Sequence, residues 1–362
     1  MEKIVYILGA GFSAPLGLPV VANFLEKSKD QYLQDPGRYA HFQGIFNEID
    51  ALARIKNSFE TDLHNIEEIL SLLEMQTAVG RQKKRRDRFI RYLRDVIEFH
   101  TPASTHNCNP FTSYNWWDQI WEGGYGAVPY GILVGSISAL TFEQMVEDPL
   151  SSRHEQPVVV GIDPDRQYRY DVITLNYDRV LENTIETVNR KFGSRLTLPP
   201  PGVDSNESTV ILPVGVAKLH GSVELGDIVP PTWGKSIPRA ISDAWRHAHQ
   251  ALENANYVRI VGYSLPEADG NVRYLLKSAA AKAPHLKRVD VICLDPTKTV
   301  RARYQNFVQH PRFRFAAQST EDYLTHVARY AWKHPLNQKR VGIYRIGSIE
   351  ASHEEFMQFA AG

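Results

Sequence analysis

Short runs rich in β-branched residues recur along this chain, and most are followed by a stretch of helical periodicity. The runs lie at 3–8, 170–175 (Tyr-Asp-Val-Ile-Thr-Leu), 210–219, 257–262 (Tyr-Val-Arg-Ile-Val-Gly) and 288–294 (Arg-Val-Asp-Val-Ile-Cys-Leu), with a weaker one at 312–317. Helical patterns occupy 178–191, 236–254, 268–283, 296–309 and 319–333. Strands alternating with helices predict an α/β fold: an open, Rossmann-like parallel sheet with helices on both faces. In such a sheet the ligand crevice lies beyond the carboxyl ends of the strands.

The alternation is interrupted between about 30 and 150. Leu63, Ile66, Ile69, Leu70 and Leu73 mark one face of a helix, and Asn65 three residues before Glu68 offers a capping box. A second helix is predicted over 83–100, with Phe89, Leu93, Val96 and Ile97 on its buried side. This stretch reads as a helical subdomain inserted after the first strand–helix unit. One domain is thus predicted over 1–333, followed by a tail, 334–362, with a weak strand at 341–344.

The chain has 362 residues, with Lys plus Arg and Asp plus Glu balanced at 41 each. That balance supplies no field for nucleic acid or an acidic membrane. Two cysteines, Cys108 and Cys293, exclude a four-cysteine zinc site and a disulfide framework, so no metal is expected. Met1-Glu2-Lys3 leads straight into the first strand, and no apolar run reaches membrane-spanning length, so a cytoplasmic location is expected. The basic run 81–88 reads first as a solvated helix face and second as a nucleic-acid or partner surface. The aromatic-rich segment 111–130 reads first as core, with a ligand pocket or an oligomer interface as alternatives.

The first strand runs into Gly9-Ala10-Gly11-Phe12-Ser13, with Ala14 and Gly17 following. A strand, a tight glycine turn and a helix together aim backbone N–H groups at a phosphate. Four further signals close later strands: Thr174-Leu175-Asn176-Tyr177-Asp178, Leu219-His220-Gly221-Ser222, Gly262-Tyr263-Ser264-Leu265-Pro266 and Leu294-Asp295-Pro296. Each has an ordinary explanation as a cap, a turn or a helix start. Their joint occurrence at strand ends points to a ligand site.

As a set, these motifs resemble the sirtuin superfamily, and within it the bacterial sirtuin-like NAD-cleaving branch. The resemblance is carried by G-A-G-F-S (9–13), G-L-P (17–19), T-L-N-Y-D (174–178), L-H-G-S (219–222) and G-Y-S-L-P-E-A-D (262–269). Asn65-Ile66-Glu67-Glu68-Ile69-Leu70 and the turn Pro230-Pro231-Thr232-Trp233 add to it, so it covers residues 4 to 320. The sirtuin deacetylases carry G-I-P-D-F-R after the first turn, whereas this chain has Gly17-Leu18-Pro19-Val20-Val21-Ala22. It also lacks their four zinc-binding cysteines.

What the resemblance implies is an NAD+ glycohydrolase that releases nicotinamide, a gated effector of antiphage defence with NAD as its substrate. Asn176 and His220 would carry the chemistry, with Asp178 supporting positive charge. Gly9, Ala10, Gly11, Phe12, Ser13, Thr174, Gly262, Tyr263 and Ser264 would hold the cofactor, and Asp295 would accept from a ribose hydroxyl. A gate is expected from homo-oligomer assembly or a partner such as a HerA-like ATPase. A zinc-free deacylase, an ADP-ribosyl transferase and a non-catalytic NAD sensor are the alternatives.

Overall fold

The computed structural model describes residues 1–59, 62–63, 65–80, 83–102, 127–144, 158–198, 210–223, 228–229, 239–267, 269–333, 336–337, 342–345 and 349–361. Its centre is a six-stranded, wholly parallel sheet. The strands are β1 (Glu2–Leu8), β4 (Tyr168–Thr174), β7 (Gly215–Lys218), β8 (Tyr257–Val261), β9 (Arg288–Ile292) and β10 (Phe313–Ala316). Their spatial order is β10-β9-β8-β1-β4-β7. The chain therefore builds outward from β1 through β4 to β7, returns to lay β8 against the other side of β1, and builds outward again. That is the doubly wound order, and its switch point falls between β1 and β8.

The strands read as continuous apolar runs because both faces are covered. Ile4, Tyr6 and Leu8 enter one core with Tyr170, Val172 and Val216. Val5 and Ile7 enter the other with Ile173, Ala217, Ile260 and Val291. The first face is covered by α6 (Ala127–Ile137), α7 (Val180–Phe192), α11 (Thr320–Lys333) and α12 (Glu350–Ala360), and the second by α8 (Ser242–Glu253), α9 (Gly270–Ala280) and α10 (Thr299–Phe307). A short helix, α1 (Ala10–Ser13), follows β1 directly.

The inserted helical subdomain has its own core. It consists of α2 (Phe24–Gln34), α3 (Phe42–Leu52), α4 (Ile66–Gly80) and α5 (Lys83–His100), packed through Phe42, Ile69, Phe89, Tyr92 and Val96. Val223, Ile228 and the half-buried Tyr177 join this core, so it reaches the ends of β4 and β7. Asn65 caps α4, its Oδ1 accepting from the N–H groups of Glu67 (3.0 Å) and Glu68 (3.2 Å). The Glu68 carboxylate turns back to the Asp62 N–H at 3.2 Å instead of closing the box on Asn65. In the basic run, Arg85 and Arg88 both grip Glu48 of α3, at 3.0 and 2.7 Å. Those two charges hold helices together.

Three features depart from the sequence reading. The run 210–219 divides: β6 (Val210–Ile211) pairs with β5 (Leu196–Thr197) in a separate sheet, and only β7 joins the main one. Strands β2 (Leu140–Gln144) and β3 (Val158–Ile162) are additional; with β11 (Leu336–Asn337) and β12 (Gly342–Arg345) they form a four-stranded antiparallel sheet. Part of the expected tail is thus built into a sheet, and α12 packs into the first core through Phe356 and Met357. Among the described residues no helix is long and apolar enough to cross a membrane.

Candidate active site

The strand ends of β1, β4, β7 and β8 are neighbours, which brings four of the sequence motifs to one edge of the sheet. The turn after β1 and the loop after β8 meet backbone to backbone. Gly9 N–H donates to Val261 O at 3.0 Å, Gly11 N–H to Gly262 O at 2.9 Å, and Phe12 N–H back to Gly9 O at 2.8 Å. A Cβ on Gly9 would lie 2.6 Å from Tyr263 Cα, and one on Gly11 would lie 2.9 Å from Gly262 Cα. Gly262 has φ +67°, and a Cβ there would collide with the backbone of Phe12 and Gly11. The missing Cβ at these glycines lets the two loops close on each other. Phe12 serves the core, edge-on to Tyr130, whose hydroxyl donates to Phe12 O.

Asn176, just past β4, is 8% exposed. Its backbone N–H donates to Thr174 Oγ1 at 3.1 Å, which gives Thr174 a role in shaping the loop. Its Nδ2 donates to Gly9 O at 3.0 Å and to Ser13 Oγ at 3.1 Å. A carbonyl can only accept, so the amide nitrogen is fixed toward Gly9 and the amide oxygen is turned away from it. Asn176 thereby ties the β4 loop to the glycine turn.

Asp178, expected to stabilise positive charge, is engaged locally: Oδ1 accepts from Val180 N–H at 3.0 Å at the start of α7. Burial raises its pKa, opposed by the Val180 bond, by Ser13 and by Lys218. Asp295, expected to accept from a ribose hydroxyl, behaves similarly. Its Oδ1 and Oδ2 accept from the N–H groups of Val300 (3.1 Å) and Arg301 (2.8 Å), so both oxygens already serve the start of α10. Ser264 is exposed, and its carbonyl accepts from Arg303 at 2.6 Å.

His220 follows β7, whose end is held by Trp245 Nε1 donating to Leu219 O at 2.9 Å. The imidazole is 5% exposed, and its Nε2 is buried without a hydrogen-bond partner. Burial lowers its pKa and Asp269 pulls the other way, so the ring is neutral at pH 7 with an unused nitrogen. The Asp269 carboxylate faces it, with Oδ1 4.0 Å from Nε2, and Tyr263 OH donates to Asp269 Oδ2 at 2.7 Å. The half-buried Glu67, from the first turn of α4, completes this cluster. Burial, with Asp269 adding to it, pushes the Glu67 carboxyl up to about 7.

Sequence reasoning gave no role to Glu67 or Asp269, although both fall inside quoted motifs. An Asp immediately before a helix reads as a cap, and periodicity cannot say which way its side chain turns.

No protein-family model matches the chain, and no curated protein sequence matches it. Solved structures give a loose likeness. A structure of Sir2 with a p53 peptide and NAD+ aligns over 92% of this chain and 94% of its own, at 12% identity and a TM-score of 0.39. A structure of Sir2 with the inhibitor EX-527, 2′-O-acetyl-ADP-ribose and a deacetylated p53 peptide covers 92% and 95%, at 13% identity and a TM-score of 0.32. These scores are too low to define a shared fold, and the architecture rests on the sheet order itself.

Among the described residues, one further cluster has metal-ligand chemistry: Asp290, His353 and Glu354. Arg314 already binds Asp290 through two bonds of 2.7 and 2.8 Å, and Arg288 binds Glu354 at 2.8 Å. Two guanidiniums there oppose a dication and fit an ion-pair network. Cys293 is free and buried; Cys108 and most of the aromatic-rich segment, as well as the 230–233 turn, lie outside the described residues.

Proposed function

We propose that this chain is an NAD+ glycohydrolase, cleaving NAD+ with water to nicotinamide and ADP-ribose. The observation that carries the reading is His220: neutral, buried, and presenting an unpartnered Nε2 at the same sheet edge as Asn176 and the glycine seam. An unused acceptor in a buried site suits a ligand hydroxyl or water. The motif resemblance supplies the choice of NAD+.

In this reaction the pyridinium leaves with the electron pair of its glycosidic bond, and water adds to the oxocarbenium carbon. The leaving group is already cationic, so no acid is needed to protonate it. His220 Nε2 takes the proton from the attacking water or from a ribose hydroxyl, the task of a positioned base. Asn176, locked by Gly9 and Ser13, offers its amide oxygen to orient water or ribose. The Gly9–Ser13 turn and the 262–264 loop would flank the pyrophosphate at the switch point.

Constitutive hydrolysis of NAD+ would harm the cell that makes it. A gate therefore belongs to the proposal: homo-oligomer assembly or a partner protein such as a HerA-like ATPase, in the cytoplasm, in defence against phage. The test is nicotinamide release from NAD+ by the purified chain, alone and in its assembled or partner-bound form. Release without an acceptor supports the hydrolase. Release only with a peptide or protein acceptor supports a deacylase or transferase, and binding without release leaves a sensor.

A further inference from the structure

Asp269 directly precedes α9, the position where an aspartate normally caps a helix, yet its side chain makes no capping bond. Asp178 and Asp295, at comparable strand-to-helix junctions, both accept from backbone N–H groups of their own helices. Asp269 is instead 4% exposed, clamped through Oδ2 by Tyr263 OH, with Oδ1 turned to His220. Tyr263 is itself fixed, since its carbonyl accepts from Tyr304 OH at 2.8 Å. A buried carboxylate that forgoes its cap to face a histidine is a costly arrangement for packing alone.

We propose that Asp269, held by Tyr263, is a positioning residue for His220, and that the 4.0 Å gap between Nε2 and Oδ1 seats one ligand hydroxyl or water. The proposal deepens the hydrolase reading and rests on it only for the identity of the ligand. Two acceptors cannot bond each other, and at that separation one oxygen can reach and donate to either. When Nε2 accepts the proton, the imidazolium formed faces the Asp269 carboxylate. The pairing orients the ring and holds the charge, and Asp269 is not itself protonated in the step.

Three other elements face this pair. Glu67 approaches from α4, Tyr263 from the loop after β8, and Tyr177 from the loop after β4, its ring 6.0 Å from that of His220. Burial, with Asp269 beside it, raises the Glu67 carboxyl to about 7, so below that pH Asp269 is spared a second negative charge.

The test does not depend on turnover. The imidazole 15N signals of the full chain are followed against pH, with His220 assigned by its loss in His220→Gln. In Asp269→Asn, which keeps the shape and the Tyr263 contact, the His220 midpoint is expected to fall relative to wild type. Tyr263→Phe, which leaves the charge in place but frees the carboxylate, is expected to broaden or move the same signal. An unchanged His220 midpoint in folded Asp269→Asn overturns the proposal, whatever the chain's activity.

Where the assembled chain releases nicotinamide, Asp269→Asn should lower kcat about 10–100-fold with KM little changed, and Asp269→Glu should restore part of it. Equal loss in Asn and Glu variants with an unmoved His220 signal would mark Asp269 as structural. Absence of nicotinamide release from wild type, with the His220 midpoint still responding to Asp269→Asn, would overturn the hydrolase reading and leave the positioning role standing.

Discussion

Asn176 is tied by its amide nitrogen to Gly9 and Ser13, so the role in chemistry proposed for it is inseparable from its role in shaping the turn. Asn176→Ala is therefore expected to lower nicotinamide release by about two to four orders of magnitude and to weaken NAD+ binding as well. His220→Ala should lower release to a similar degree while leaving binding nearly intact, because the pyrophosphate contacts proposed for NAD+ lie on other loops. Turnover measured beside a binding isotherm separates the two, and near-wild-type hydrolysis by His220→Ala would reduce that residue to a turn. Glu67 gives a prediction on stability. Its folded pKa of about 7 lies above the ordinary glutamate value of 4.5, so the folded state retains a proton that the unfolded chain releases. Stability linked to this group is complete below about 4.5 and is lost as pH rises through about 7, by up to about 3 kcal/mol. Glu67→Gln removes that loss, so relative to wild type it should be more stable at pH 8 than at pH 5.5 in urea unfolding; an equal difference at both pH values would refute the buried protonated carboxyl.

At the scale of elements, the seam between the β1 turn and the β8 loop decides the shape of the crevice. Gly262→Ala must adopt a left-handed conformation, costing roughly 1–2 kcal/mol, and place a methyl against the Phe12 and Gly11 backbone. A drop in stability of about 2–5 kcal/mol is expected, with crevice binding lost before the fold is. A Gly262→Ala protein with an unshifted thermal midpoint would show that the seam is not packed as described. The same seam marks what the sequence could and could not disclose. Periodicity was enough to place β1, β4, β8, β9 and their helices, because runs buried on both faces are unmistakable in composition. It was enough to bring Asn176 and His220 to one edge, because strand ends are local features. It marks β12 as a weak strand at 341–344 but gives neither β2 nor β3, nor the sheet they form with it, since β2 and β12 pair across about 200 residues. The directions of Asp178, Asp269 and Asp295 escaped it too. All three precede helices, and only tertiary surroundings turn one toward a histidine and the others onto backbone amides.

At the scale of the whole molecule, the C-terminal helix is held to the central sheet by a buried charge pair, and this makes the final segment part of the domain. Arg259, on β8 at the middle of the sheet, is 1% exposed. Its guanidinium donates to Tyr6 OH at 2.8 Å and grips both carboxylate oxygens of Glu350 at the start of α12. Tyr170 OH donates to the same carboxylate at 2.8 Å, so residues of β1, β4, β8 and α12 meet at one ion pair. Such a pair adds little net stability against a well-packed apolar substitute, because desolvation offsets the attraction. Removing one partner alone is different, since it strands a charge where water cannot reach. Glu350→Ala should therefore destabilise the chain by about 3–5 kcal/mol, whereas Arg259→Met combined with Glu350→Leu should recover most of that loss. Thermal midpoints of the single and double variants are the measurement. The clamp fails as an explanation if Glu350→Ala melts with wild type. Recovery in the double variant would assign the loss to the stranded guanidinium, and failure to recover would assign it to the hydroxyl contacts of Tyr6 and Tyr170.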